Sequence, residues 1–170
     1  MARRILQIFW WLLLLGILTI FIFLGLGSFT SQPVLAALSH QEEAPGEILY
    51  RSQQKLNDAS GKSWQVVLFK RVYPGHVTSV NLRLVGYPGS AELLHPQPLR
   101  IMSTTGKVWK ATDIFLESAP APTIGQYNFK DILPELPTDD LLLSLPLGRE
   151  RFVNIVVPQS LVQEWQELLD

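Results

Sequence analysis

The chain contains no cysteine. That excludes a disulfide framework, a thiolate metal site, a cysteine nucleophile and lipid attachment to an N-terminal cysteine. It leaves the compartment open, because many exported proteins do without disulfides. Charge is scarce at the start of the chain. Besides the N-terminus, Arg3 and Arg4 are the only charges before His40, and no Lys or Arg follows them until Arg51. Setting that pair aside leaves 12 of the 14 basic residues against 15 acidic ones, so the remainder carries about −3. An excess of positive charge is therefore also missing, which argues against a nucleic-acid binder, since such a protein must displace counterions from phosphates with a basic face. There is no internal repeat and no low-complexity tract.

What the start does have is a long apolar run. Ile5 to Leu26 is interrupted only by Gln7, Gly16, Thr19 and Gly25, and its 22 positions reach about 33 Å as a helix, enough to cross a hydrocarbon core. Positive charge before the run and none soon after it keeps the N-terminus in the cytoplasm and sends the rest outward. Residues 1–27 read as a signal peptide or an N-terminal membrane anchor. Val34-Leu35-Ala36 followed by Ala37 has compact residues at the positions a signal peptidase reads, with the helix breaker Pro33 just upstream. Against cleavage, signal cores usually hold roughly 7–15 apolar residues, fewer than here. Arg3 and Arg4 suggest the twin-arginine route, but the very hydrophobic core favours general secretion. Residues 28–46 have no sustained period and read as a linker. Residues 47–170 form the exported domain, large enough for one core without staples.

Within that domain the strand signals dominate. Glu47 to Lys55 is a first strand, and Asn57 to Lys62 is rich in turn formers. Trp64 to Tyr73 is apolar on both faces, which marks a central strand covered on two sides. Pro74-Gly75 turns the chain into Val77–Val85, with Val80, Leu82 and Leu84 inward and Ser79, Asn81 and Arg83 outward. Leu99–Ser103 and Val108–Phe115 make a second hairpin. Ser118–Thr123 carries Pro120 and Pro122 and reads as a surface loop. Lys130–Leu136 suggests a short helical turn, Leu141–Leu145 fits strand or helix, and Phe152–Val157 is a β-branched, buried strand. After Pro158, the apolar residues Leu161, Val162, Trp165, Leu168 and Leu169 fall on one helical face. The expected class is α+β, mainly β. It would have an antiparallel sheet of six to seven strands, able to curl into a partial barrel, with a C-terminal amphipathic helix against it. One N-terminal transmembrane or signal helix precedes it.

Several short patterns carry a family resemblance. They are Ile48-Leu49-Tyr50-Arg51-Ser52, Asp58-x-Ser60-Gly61-Lys62-x-Trp64-Gln65-Val66, Leu82 through Gly89, Gly125-Gln126-Tyr127, and Val157-Pro158 with Glu164-Trp165-Gln166. Together they resemble the small cyanobacterial proteins grouped as domain of unknown function 3122, over essentially residues 47–170. The resemblance implies a cyanobacterial source and an exported location, periplasm or thylakoid lumen. It brings no catalytic residues, because the family has no assigned function.

Candidate chemistry is thin. Ser52-Gln53-Gln54-Lys55 matches the Ser-x-x-Lys pattern of penicillin-recognising enzymes, but that motif needs a helix, and on a strand positions three apart face opposite ways. Gly61-Lys62-Ser63 echoes a phosphate-binding loop, yet Leu56 stands where the first glycine belongs and a strand follows instead of a helix. His40, His76 and His95 lack a second ligand at metal-binding spacing. His76 and His95 could converge with Asp113 or Glu92, although solvated loop positions explain them better. Glu42-Glu43 and Asp139-Asp140 are adjacent carboxylates that project apart, so neither is an acid/base couple. Lys70, Arg71, Arg83 and Arg100 could gather on one face and meet anionic headgroups, or simply be solvated strand positions that discourage aggregation. Core packing accounts for most of the aromatics. Tyr87, in a Gly-Tyr-Pro-Gly turn, is the exception and the candidate partner contact.

No catalytic, cofactor-binding or metal-binding residue is assigned. The leading expectation is a non-enzymatic accessory module that acts on a membrane protein complex at the outer face of a membrane. A second is a small lipid or pigment carrier that uses a cavity in the curled sheet. A third is a hydrolase using His76, His95 and Asp113, which requires the three to meet within about 4 Å.

Overall fold

The computed structural model describes residues 4, 10–11, 13–16, 39–44, 46–89, 91–117, 119–147 and 151–169. The chain divides into two compact units, Met1–Leu35 and Ala36–Asp170. The described positions of the first unit are helical. Most of the apolar run, Arg3 and the Ala36–Ala37 junction lie outside the described residues. Among the described residues, no helix is long and apolar enough to cross a membrane.

Among the described residues, the second unit holds nine antiparallel strands in two sheets. The first sheet has the order β1–β2–β3–β4–β7: β1 Ser39–Ala44, β2 Glu47–Asn57, β3 Ser63–Tyr73, β4 His76–Gly86 and β7 Ile124–Asn128. The second has the order β6–β5–β8–β9, from β5 Leu99–Ser103, β6 Val108–Ala111, β8 Leu141–Pro146 and β9 Phe152–Val157. A 3-10 turn covers Leu133–Glu135, and an α-helix covers Gln159–Glu167.

Two sheets correct the expected single sheet of six to seven strands. After Gly86 the chain enters a segment with Pro88, Pro96 and Pro98, residues that cannot donate to a ladder, and β5 then opens a new sheet. Both sheets are apolar on their inward faces, so they close on each other across one core. The first contributes Trp64, Val66, Leu68, Val80, Leu82 and Leu84; the second contributes Leu99, Ile101, Leu141, Leu143, Ile155 and Val157. Residues 39–44, expected as linker, pair with β2 from Ser39↔Arg51 to Ala44↔Glu47. An edge strand needs only backbone partners and no apolar alternation, which is why its sequence gives so little sign of it. β6 ends at Ala111, short of the expected Phe115.

The sheets touch edge to edge at two seams but do not close into a barrel. At one, Asp58 bridges Ile155 and the Ala59 N–H donates to the Asn154 carbonyl at 3.0 Å. At the other, Asp113 bridges Tyr127, flanked by Ile114 N–H to Gln126 O at 2.8 Å and Asn128 N–H to Thr112 O at 2.9 Å. The helix covers one end of the core. Trp165 meets Phe129 edge to face at 6.2 Å between centroids, and the Gln166 amide donates to the Leu136 carbonyl. Lys70, buried, donates from Nζ to the carbonyls of Leu168 and Leu169 at 2.6 and 3.0 Å. A cation there neutralises the negative end of the helix dipole and satisfies orphan carbonyls.

Candidate functional site

Among the described residues, a dense polar cluster surrounds Asp58. Its Oδ1 accepts from the Ser60 N–H and hydroxyl and from the Lys62 N–H, and its Oδ2 accepts from the Trp64 indole at 3.0 Å. Burial would raise the Asp58 carboxyl, but the bonds from Ser60, Trp64 and Lys62 outweigh it and hold the group below its ordinary value. Gly61 sits at φ +81° in the same turn, a conformation that costs glycine little. Gly61-Lys62-Ser63 is therefore a turn whose amides at Ser60 and Lys62 already serve the chain's own carboxylate. Sequence reasoning left Asp58 unremarked as a node, although Asp followed by Ser-Gly is an Asx-turn signal.

Of the three histidine and acid candidates, the fold joins two. His95 Nδ1 lies 2.6 Å from Asp113 Oδ2, and both side chains are buried. Asp113 also accepts from the Gln97 N–H on Oδ2 and the Phe115 N–H on Oδ1, so Nδ1–H is the donor of the pair. Nε2 is buried without a hydrogen-bond partner, and the Phe115 ring packs edge-on against the imidazole. His76 is elsewhere. It pairs with Tyr73 at the β3–β4 turn, six residues along β4 from Leu82, the partner of Tyr127. At about 3.4 Å per residue that is roughly 20 Å. The expected meeting of His76, His95 and Asp113 within one cleft does not occur, because β4 is extended between them. The surviving pair ties the 93–97 loop to the β6–β7 connection. Among the described residues, no three His, Asp or Glu side chains gather in a metal-binding group.

The basic residues also part. Arg83 donates from Nε and Nη2 to the Gln126 amide oxygen, and the Arg71 and Arg83 guanidinium groups lie over the Phe69 ring at 5.2 and 5.5 Å, on the outward face of the first sheet. Lys70 points to the helix, and Arg100 lies on the second sheet. Ser52 faces the core, fully buried, whereas Lys55 on the opposite face stands 5.7 Å from the Tyr87 ring. Near Ser52, burial pushes the Glu164 carboxyl up, the Ser52 hydroxyl pulls it down, and Glu167 adds to the rise. Asp140 accepts from the Gln159 N–H at the start of the helix.

Tyr87 is 57% exposed. Its turn is held by the Gly86 N–H donating to the Thr123 carbonyl, with Gly89 at φ +78°. A separate groove of about 470 Å³ opens beside the helix end, lined by Tyr50, Lys70, Val77, His76, Leu168 and Leu169 among others. Between the sheets, Trp64, Leu68, Leu82, Leu99, Ile101 and Tyr127 are fully buried.

These features define a two-sheet antiparallel domain with a shared apolar core, a terminal helix and an exposed aromatic turn. The chain belongs to the family described as protein of unknown function DUF3122, whose family model matches residues 36–168. No curated protein and no solved structure matches it significantly.

Proposed function

We propose that this protein is a non-enzymatic accessory module. Its leader delivers it to the outer face of a membrane, where it binds a membrane protein complex. A cyanobacterial source, with the periplasm or thylakoid lumen as the compartment, belongs to the same proposal and rests on the resemblance given above. The observation that carries the binding role is Tyr87: a large aromatic, more than half exposed, on a turn pinned to the rest of the fold. A rigid amphipathic ring gives contact area with little entropy to lose, which is the character of an interface hot spot.

The test is affinity purification of tagged full-length protein from its native membranes, followed by mass spectrometry, with Tyr87→Ala alongside. One stoichiometric membrane complex should come with the wild type. The variant should retain about thirtyfold less of it, the loss of about 2 kcal/mol that marks a hot-spot aromatic, at an unchanged melting temperature. Equal retention by the variant, or the protein emerging alone, would refute the reading.

A lipid or pigment carrier is the second reading, favoured by the apolar walls of the groove beside the helix end. Native mass spectrometry of the purified chain would then show a bound small molecule that leaves when Val77→Asp charges the groove. Its appearance with no protein partner would displace the first reading.

A further inference from the structure

The outward face of the second sheet carries an ordered pattern that becomes visible only with its register. Val108 lies opposite Met102, Met102 opposite Leu142, and Leu142 opposite Val156. These four form one unbroken apolar row across all four strands, and Val108, Met102 and Val156 are exposed. The next outward row, two residues along each strand, reads Lys110, Arg100, Ser144 and Asn154. Ser144 and Asn154 bond to each other at 2.8 Å. Arg100 and Lys110 face each other directly, with no carboxylate in ion-pair range among the described residues. No strand residue on this face is acidic.

Two like charges directly opposite each other work against strand pairing, and exposed apolar side chains gain nothing in water. Both defects disappear against a surface that is apolar within and anionic at its boundary. We infer that this face docks on the surface of an anionic phospholipid bilayer. The apolar row sinks into the headgroup–acyl boundary while Arg100 and Lys110 contact phosphates. Rows two residues apart are separated by about 7 Å, and long basic stems let the cations stay at phosphate level while their neighbours go deeper.

Charge favours lipid over a protein partner at this face: two cations with no acidic strand residue beside them run along an exposed apolar row, the complement of an anionic headgroup layer over acyl chains. A weak lipid contact suffices where a leader already holds the chain near the membrane, because two modest signals together anchor stably. To that extent the inference rests on the membrane-side location proposed above, but it is independent of any protein complex.

The absence of native cysteine permits a direct test on the full-length chain. Val156→Cys is labelled with an environment-sensitive fluorophore, with Gln53→Cys, on the outward face of the first sheet, as the control. Each is reconstituted into phosphatidylglycerol–phosphatidylcholine vesicles and into pure phosphatidylcholine vesicles, both containing a lipid-borne quencher. The 156 label should shift to the blue and be quenched in the anionic vesicles only, while the 53 label stays aqueous in both. Arg100→Gln with Lys110→Gln should lower the ratio of docked to undocked label about thirtyfold, since each cation near an anionic leaflet contributes about 1 kcal/mol, or roughly fivefold. Raised salt should act in the same direction.

An aqueous 156 label in both vesicle types overturns the inference, as does equal quenching in neutral vesicles or indifference to the double substitution. Protection of the 156 label in native membranes but not in lipid alone would assign the face to a protein and likewise end the lipid proposal. Failure of the Tyr87 purification experiment would leave these outcomes unaffected, so the two ideas fail separately.

Discussion

The two sheets share one interior and differ on their outward faces. On the first sheet, Phe69, Asn81 and Gln126 point outward yet are buried, because Arg71 and Arg83 fold over the ring and Arg83 bonds to Gln126. That face is finished by its own side chains. On the second sheet, the corresponding layer is the bare row from Val108 to Val156 beside two cations with no ion-pair partner among the described residues. Inside, both sheets obey the same alternation. The difference teaches that folding accounts for the first sheet completely, and for the second only up to its inner half.

If the seams hold the two sheets as one unit, one of the largest losses should follow damage at the Asp58 seam. Asp58→Ala strands the Trp64 indole N–H, which is fully buried, together with the turn donors of Ser60 and Lys62. A buried donor left unpaired costs about 1–3 kcal/mol, and several are affected. The variant should lose about 3 kcal/mol in urea unfolding, with both sheets melting together; separate transitions would show two independent units. The pH dependence follows from the same group. Its folded value lies below the ordinary 3.8, so ionised Asp58 stabilises the fold above that pH. The contribution disappears as pH falls through the lower, folded value. Asp58→Asn should therefore flatten the acid limb of the stability curve below about pH 4.

Next in size comes Gly125, on β7 of the finished sheet. A Cβ there would sit 2.7 Å from the Tyr127 hydroxyl, 2.9 Å from its ring and 3.0 Å from Leu93, so the tyrosine lies back along the strand over the glycine. Gly125→Ala should cost about 1–3 kcal/mol through overpacking. Tyr127→Phe should cost nothing or stabilise slightly, because the hydroxyl is buried without a partner, and burial pushes its pKa up, with the charge of Asp113 adding to the rise. A thermal melt of both variants decides the matter; a harmless Gly125→Ala would mean the ring is free to move.

Much of this was legible in the sequence, and the failures have physical causes. Val77–Val85 alternates and became a strand. Phe152–Val157 became a strand through its β-branched residues, although as an edge strand with one exposed face rather than a buried one. The apolar stripe from Leu161 to Leu168 became the helix that covers the core. β7 was missed because Gly125, Gln126 and Asn128 spoil every strand signal; tertiary packing of Tyr127 on Gly125 overrides local propensity there. Alternation places Asn81 outward, and it does point outward; its burial there depends on its cross-strand neighbours Phe69 and Asn128, which alternation does not show. Tyr87 was legible as an exposed aromatic, since a Pro-Gly turn cannot be buried cheaply. His95 and Asp113 were named without any way to know that β4 would hold His76 far from them. The row from Val108 to Val156 was invisible, because one residue of it comes from each of four strands and only cross-strand register assembles it.

The smallest expected effect gives the sharpest comparison. If the outward row of the second sheet serves a surface rather than the fold, polar replacements there should leave stability alone. Val156 is 55% exposed on an edge strand, and its cross-strand contact is to Leu142. Val156→Thr keeps the branched shape that suits a strand and removes only apolar character. Its stability should change by less than about 0.5 kcal/mol, the usual range for exposed positions, and Met102→Gln should behave alike. The matching change on the first sheet, Phe69→Gln, removes a buried ring from beneath two guanidinium groups and should cost about 2–4 kcal/mol. Equilibrium unfolding of the three variants side by side therefore separates the faces. A large loss at Val156 would mean that the second sheet needs its outer layer as much as the first, and the contrast between them would vanish.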